Sequence, residues 1–211
     1  DNPFLSETIV EEIERLKHTD ENYWRIYGLG ERGQSRSLIF DHQTCSNIPE
    51  NAKFLCLGLD FGFSNDPTAL VQVFIQDESL YIKELIFRTG MTNQDIGKEF
   101  EKLGLDRRDP VWCDSAEPKS VEEIHRMGWN TKSTKKGEIN LGIDMLRRYK
   151  LYVLETSTNV IKEMRNYKYV EDKNGSLTNK PEDKNNHSLD ALRYGIVMSL
   201  SRPNYGKYAV R

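Results

Sequence analysis

The sequence predicts an α/β fold around a mixed central sheet, with three antiparallel strands first and parallel strands after them, flanked by helices and carrying an extra β-hairpin. Three observations predict it. Apolar runs rich in β-branched and aromatic residues, at 54–59, 69–75 and 80–87, follow one another across turns rich in Gly, Asp, Asn and Pro. Such short connections imply an antiparallel meander. From Thr92 onward helical and strand patterns alternate, the signature of parallel strands joined by crossover helices. Asn174-Gly175 then divides the stretch 167–178, and that dipeptide is the strongest short-range hairpin signal.

The elements follow in order. Residues 6–17 space Ile9, Ile13 and Leu16 on one helical face behind a capping Ser6. The stretch 23–40 is mixed. Its Gly28-Leu29-Gly30-Glu31-Arg32-Gly33 fits a dinucleotide fingerprint by letters, but lacks the acidic residue about 20 positions on and the adjoining βαβ unit, so it reads as a turn near a strand. Residues 1–50 are therefore assigned to an N-terminal helix and a junction segment, and 51–211 to the main domain. Within that domain, 92–103 reads as a helix with Ile96, Phe100 and Leu103 inward, and 110–114 as a short buried strand. Helices are predicted at 119–127, 138–149 and 159–167, and a strand at 151–154. A polar loop at 180–186 precedes a final helix from His187 or Ser188 to about Leu200.

A length of 211 residues suits one substantial domain. With 30 basic against 33 acidic residues and a net charge of −3, composition alone does not announce a nucleic-acid binder. Any such binding must come from a local patch. Cys45, Cys56 and Cys113 form no CxxC pair, and two of them sit in apolar strand-like runs that favour buried free thiols, which suits a reducing, cytoplasmic setting. No apolar run approaches the roughly 20 residues of a membrane span, and the first residues lack the order of a signal peptide. The absence of a starting Met gives the expectation of a fragment.

Three carboxylates stand out. Asp60 ends the first core strand, Asp114 ends the strand Val111-Trp112-Cys113, and Asp190 lies one turn beyond His187 among Leu189, Ala191 and Leu192. If the two strands are neighbours and the last helix crosses their ends, the three meet. Carboxylates forced together repel unless protonated or bridged by a cation, and hard oxygen ligands suit Mg²⁺ or Mn²⁺. Each residue singly also fits a local role: Asp60 capping the Gly62 turn, Asp114 capping the following helix, Asp190 as a solvated helix residue.

At these residues the chain resembles the C-terminal nuclease domain of the large terminase subunit of tailed bacteriophages, a DNA-packaging motor protein. The resemblance covers the chain from about residue 23 onward. It rests on Gly58-Leu59-Asp60-Phe61-Gly62 with Asp66-Pro67-Thr68-Ala69, and on Trp112-Cys113-Asp114-Ser115-Ala116-Glu117-Pro118. It rests also on Lys135-Lys136-Gly137 ahead of 139–146, and on His187-Ser188-Leu189-Asp190-Ala191-Leu192-Arg193-Tyr194. It implies an RNase H-like fold and two divalent ions, Mg²⁺ or Mn²⁺, held by Asp60, Asp114 and Asp190. Many relatives carry an extra acidic residue just before or within the last motif. Here that neighbourhood is Asp183-Lys184-Asn185-Asn186-His187, so Asp183 becomes the candidate fourth ligand.

The implied activity is a metal-dependent DNA endonuclease that cuts concatemeric viral DNA during packaging, working in the cytoplasm of the infected bacterial host. The implied partners are double-stranded DNA, the ATPase domain of the same full-length protein, the portal and the small terminase subunit. No Gly-x-x-x-x-Gly-Lys-Ser/Thr motif occurs, so the chain holds no phosphate-binding loop of that motor type. His187 is a candidate for orienting water or relaying a proton, and equally a helix-start residue bonding the preceding loop. Glu84 is a remote candidate ligand, better read as an exposed strand residue. Arg107, Arg108, Lys132, Lys135 and Lys136 are candidate phosphate contacts; Lys135 and Lys136 are favoured because they open a helix whose free amides add to an anion site. The 167–178 hairpin reads as a DNA guide or as a plain surface hairpin. The competing readings are a sugar-kinase-type phosphotransferase, whose second phosphate loop is missing, another RNase H-like nuclease of resolvase or transposase type, and a non-catalytic DNA-binding or docking module.

Overall fold

The computed structural model describes residues 37–135, 139–173 and 176–201; the helix expected at 6–17 and the glycine-rich turn at 28–33 lie outside them. Residues from Ile39 onward form one compact unit. Seven strands, β1 (Gln43–Cys45), β2 (Lys53–Asp60), β3 (Thr68–Gln76), β4 (Ser79–Arg88), β5 (Val111–Cys113), β6 (Thr131–Ser133) and β7 (Lys150–Leu154), make one sheet in the order β1-β7-β4-β3-β2-β5-β6. β3 runs antiparallel to β2 and β4, and every other pairing is parallel. This is the mixed sheet the sequence predicts. A separate antiparallel hairpin, β8 (Tyr169–Glu171) with β9 (Leu177–Pro181), stands apart from it; its turn residues Asn174 and Gly175 lie outside the described set.

Among the described residues five helices cover the two faces: α1 (Asn93–Lys102), α2 (Pro118–Arg126), α3 (Ile139–Leu146), α4 (Thr158–Asn166) and α5 (His187–Leu200). Strand alternation decides which side each residue serves. On β2, Leu57 and Leu59 join Ile96 and Phe100 of α1 and Ile124 of α2 in one core. Cys56 joins the other, with Val71, Ile82 and Trp112 from the sheet and Ile143, Met164 and Leu192 from α3, α4 and α5. The result is three layers, with two helices below the sheet and three above. α1 opens with a reciprocal capping box between Thr92 and Asp95, which satisfies two of its free amides.

Two strands escape the sequence reading. β1 and β6 are three residues each, Gln-Thr-Cys and Thr-Lys-Ser, too short and polar to show a period. They occupy the two edges of the sheet, where pairing with a neighbour, not apolar patterning, makes a strand. Leu103 is also corrected: it is the C-cap of α1 and 37% exposed, because the helix ends at Lys102, just before it.

Candidate active site

Asp60 is the last residue of β2 and Asp114 the first after β5. The parallel register pairs Gly58 with Trp112 and Leu59 with Cys113, so the two carboxylates emerge side by side at the carboxyl ends of neighbouring strands. Alternation puts Cys56, Gly58 and Asp60 on one face of β2, and Trp112 and Asp114 on the same face of β5. That is the α5 side, where Trp112 packs. The chain then turns away at once. Thr68 Oγ1 donates to the Gly62 carbonyl at 2.8 Å and accepts from the Gly62 amide at 3.3 Å, and a Cβ at Gly62 would lie 2.3 Å from the Asp66 carbonyl oxygen. Thr68 thus makes the bonds of the Gly62 turn.

α5 reaches the site because the sheet is hollow beneath it. A Cβ on Gly58 would meet the Ala191 carbonyl oxygen at 1.9 Å, and one on Gly195 would meet Cys56 Sγ at 2.8 Å. With both positions bare, the first turn of α5 comes down over Asp60. His187 Nδ1 lies 3.1 Å from Asp60 Oδ2, and Nε2 lies 3.5 Å from Asp66 Oδ1. One turn on, Asp190 Oδ1 accepts from Arg193 Nε and Nη2 at 3.2 and 2.9 Å, and Oδ2 accepts from Asn186 Nδ2 at 3.2 Å. Asp114 Oδ1 accepts from the Ala116 amide at 3.1 Å, so it also shapes the turn into α2.

Electrostatics ties the three carboxylates together. Burial pushes the Asp60 carboxyl up to about 6 against the hydrogen bond from His187, and the charges of Asp190 and Asp114 push it the same way as burial. Asp190 is raised by burial, opposed by Arg193, with Asp183 adding to the rise. Tyr194 is raised by burial and then by the charges of Asp190, Asp60 and Asp114; one ring senses all three. His187 is raised chiefly by its bond to Asp60. Three oxygen-donor side chains of one sign on a half-buried face are the donor set that Mg²⁺ or Mn²⁺ takes. Among the described residues no three His, Cys, Asp or Glu side chains are drawn together at ligand spacing. Here Asp60 faces His187 while Asp190 faces Arg193 and Asn186.

The other candidates divide. Asp183 is exposed in the loop before α5, near enough for its charge to raise Asp190. Lys132 pairs in register with Trp112 and lies over its ring at 5.6 Å, on the carboxylate face one strand beyond Asp114. Lys135 is exposed just after β6, and Lys136 lies outside the described residues. Arg107 and Arg108 precede β5, at the end opposite Asp114. Arg107 stacks on Trp129 at 4.4 Å and donates to the Met127 carbonyl and Glu101, and Arg108 forks onto Asp106. Glu84 caps α4, accepting from the Asn159 and Val160 amides. The sequence reading missed Arg193 as the partner of Asp190. The i, i+3 spacing on one helix was the available signal.

Residues 60–197, which carry this arrangement, match the family model described as "Terminase RNAseH like domain". The chain belongs to the terminase RNase H-like domain family. Two curated relatives match it along nearly its whole length. The large subunit of the terminase of Bacillus phage SPP1 is 29% identical over 222 residues, covering 95% of this chain and 51% of that protein. The PBSX phage terminase large subunit of Bacillus subtilis is 26% identical over 211 residues, covering 93% of this chain and 48% of that protein. This terminase domain thus spans about half the length of the curated relatives it matches. Its fold is that of the large terminase nuclease domain from bacteriophage SPP1, solved with bound Mn, with a TM-score of 0.65 and 24% identity over 75% of this chain and 97% of that one.

Proposed function

We propose that this terminase domain is a metal-dependent DNA endonuclease that cuts concatemeric viral DNA during genome packaging, by two-metal hydrolysis of a phosphodiester. The observation that carries the reading is that Asp60 and Asp114 lie side by side at the carboxyl ends of β2 and β5, with Asp190 of α5 near enough for its charge to raise Asp60. Family membership and the Mn-bound solved structure support it. Asp60, Asp114 and Asp190 would hold the ions, with Asp183 as a further carboxylate at the rim. Divalent ions bound there supply an activated water and neutralise charge at the scissile phosphate.

The chain's own residues do the rest. Asp60 is held by His187, and Asp190 by Arg193 and Asn186; ions held by these carboxylates would compete with those partners, leaving Arg193 and His187 to meet the phosphate. His187, which lies 3.1 Å from Asp60, would give a proton to the leaving 3′ oxygen, yielding 5′-phosphate and 3′-hydroxyl ends. Lys132, with Lys135 and Lys136 beyond it, meets the DNA backbone without reading sequence. The partners in this reading are double-stranded DNA, an ATPase domain of the same full-length protein, the portal and the small terminase subunit, in the cytoplasm of the infected host.

Plasmid cleavage by the wild type and by Asp60→Asn, in Mg²⁺, Mn²⁺ or chelator, tests this. Cutting that needs metal and is lost in the variant is the expected result. A folded wild type that cuts with neither ion would favour a docking module instead.

A further inference from the structure

Glu163 is a buried carboxylate that the proposed chemistry leaves unused. It projects from α4, is 4% exposed, and its Oε2 accepts from the backbone amides of Ser188 at 2.7 Å and Leu189 at 3.3 Å. These are first-turn amides of α5, free of any partner within the helix. The residue that would normally satisfy them does not, since Asn186, the N-cap, makes no side-chain cap bond and instead donates to Asp190. Burial pushes the Glu163 carboxyl up to about 7, against those two backbone bonds, so the chain keeps this group at a cost that a neutral side chain would avoid.

The same device occurs one layer back. Glu84 Oε2 accepts from the Asn159 and Val160 amides at 3.0 Å each, and its own amide donates to Ser157 Oγ at 2.9 Å. A bulge explains how β4 presents it: Leu70 pairs with Ile86 but Val71 with Glu84, leaving Leu85 unpaired. Before the bulge Leu80 and Ile82 face the upper core, and after it Ile86 faces the lower one, so Glu84 is the last residue of its row aimed at α4. The sheet therefore fixes α4 through one carboxylate, and α4 fixes α5 through another.

We infer that Glu163 is a positioning residue of the active site: by holding the amides of Ser188 and Leu189 it sets the depth and rotation of the first turn of α5, and so where His187 and Asp190 meet Asp60. The inference rests on the nuclease reading of that site. The test compares Glu163→Ala and Glu163→Gln, the latter keeping an acceptor oxygen in place without the charge. Hydrogen exchange should show the Ser188 and Leu189 amides losing protection in the Ala variant and keeping it in the Gln variant, with α1 amides unchanged in both. Mn²⁺ affinity, measured by calorimetry, and kcat for plasmid cleavage should fall about tenfold to a hundredfold in the Ala variant with KM for DNA within twofold, and recover in the Gln variant. Wild-type protection, affinity and kcat in Glu163→Ala would overturn the inference, as would equal losses in both variants. If the wild type itself neither binds Mn²⁺ nor cuts, the nuclease reading fails, and amide protection still decides whether Glu163 anchors α5.

Discussion

Gly58 on β2 lies so close beneath Ala191 on α5 that a Cβ at position 58 would sit 1.9 Å from the Ala191 carbonyl oxygen. That contact is backbone to backbone, with no flexible side-chain end to yield. Gly58→Ala must therefore lift α5 off the sheet and carry His187 and Asp190 away from Asp60. The expected cost is about 1–3 kcal/mol of stability, typical of overpacking a core, seen as a lower denaturation midpoint. Cleavage should fall further than the folded fraction accounts for.

pH should act on the metal-free domain in a defined direction. Asp60 moves from 3.8 to about 6 and Glu163 from 4.5 to about 7; both acids hold protons more tightly folded than unfolded. Stability then falls as pH rises. The penalty is absent below about pH 4, grows between pH 4 and 7, and is complete above 7. The shift at Asp60, about two pH units, corresponds to about 3 kcal/mol. His187, raised from 6.5 chiefly by its bond to Asp60, adds stability that is fully present below about pH 6.5 and is lost only as pH rises above that. Thermal unfolding in chelator should show a midpoint that drops from pH 5 to 7.5, and Asp60→Asn should flatten the drop. A midpoint that climbs across that window would contradict the electrostatic account.

Much of this was legible in the sequence because the strands that build the site are long or strongly apolar. Lys53–Asp60, Thr68–Gln76 and Ser79–Arg88 announce themselves by alternation, and a carboxylate closing such a run is conspicuous. Asp190 could be placed because its helix neighbours are apolar. The edge strands β1 and β6 could not, since three polar residues carry no period. The roles of Glu84 and Glu163 were equally hidden. Their partners are backbone amides 75 and 25 residues away, and no side-chain pattern records a bond to backbone. Arg107 shows the reverse error of scale: a pair of adjacent arginines reads as a charged patch until Trp129 and Met127 are seen beneath one of them.

Lys132 and Arg107 should separate cleanly. Lys132→Ala should weaken DNA binding about equally across sequences and reduce the slope of affinity against salt by about 1, with stability unchanged. Arg107→Ala should lower stability by about 1–2 kcal/mol through the lost Trp129 stack and Met127 bond, and leave the salt slope alone. Filter binding over a salt series, beside urea denaturation, distinguishes them; a shared salt effect would place Arg107 on the DNA path.

Loss of a single carboxylate should be nearly complete. In the proposed reaction Asp114→Asn and Asp190→Asn would each remove charge that bound ions would need, and several kcal/mol of transition-state stabilisation correspond to on the order of a thousandfold in rate. Single-turnover cleavage in Mg²⁺ measures it. A variant that keeps a tenth of wild-type rate would remove that residue from the ligand set.

The most direct measurement is anomalous diffraction from a crystal of the domain soaked in Mn²⁺. Strong peaks are expected beside Asp60, Asp114 and Asp190, with Arg193 turned away from Asp190. Carboxylates still bound to Arg193 and His187, with no anomalous density between them at saturating Mn²⁺, would contradict the proposed metal site.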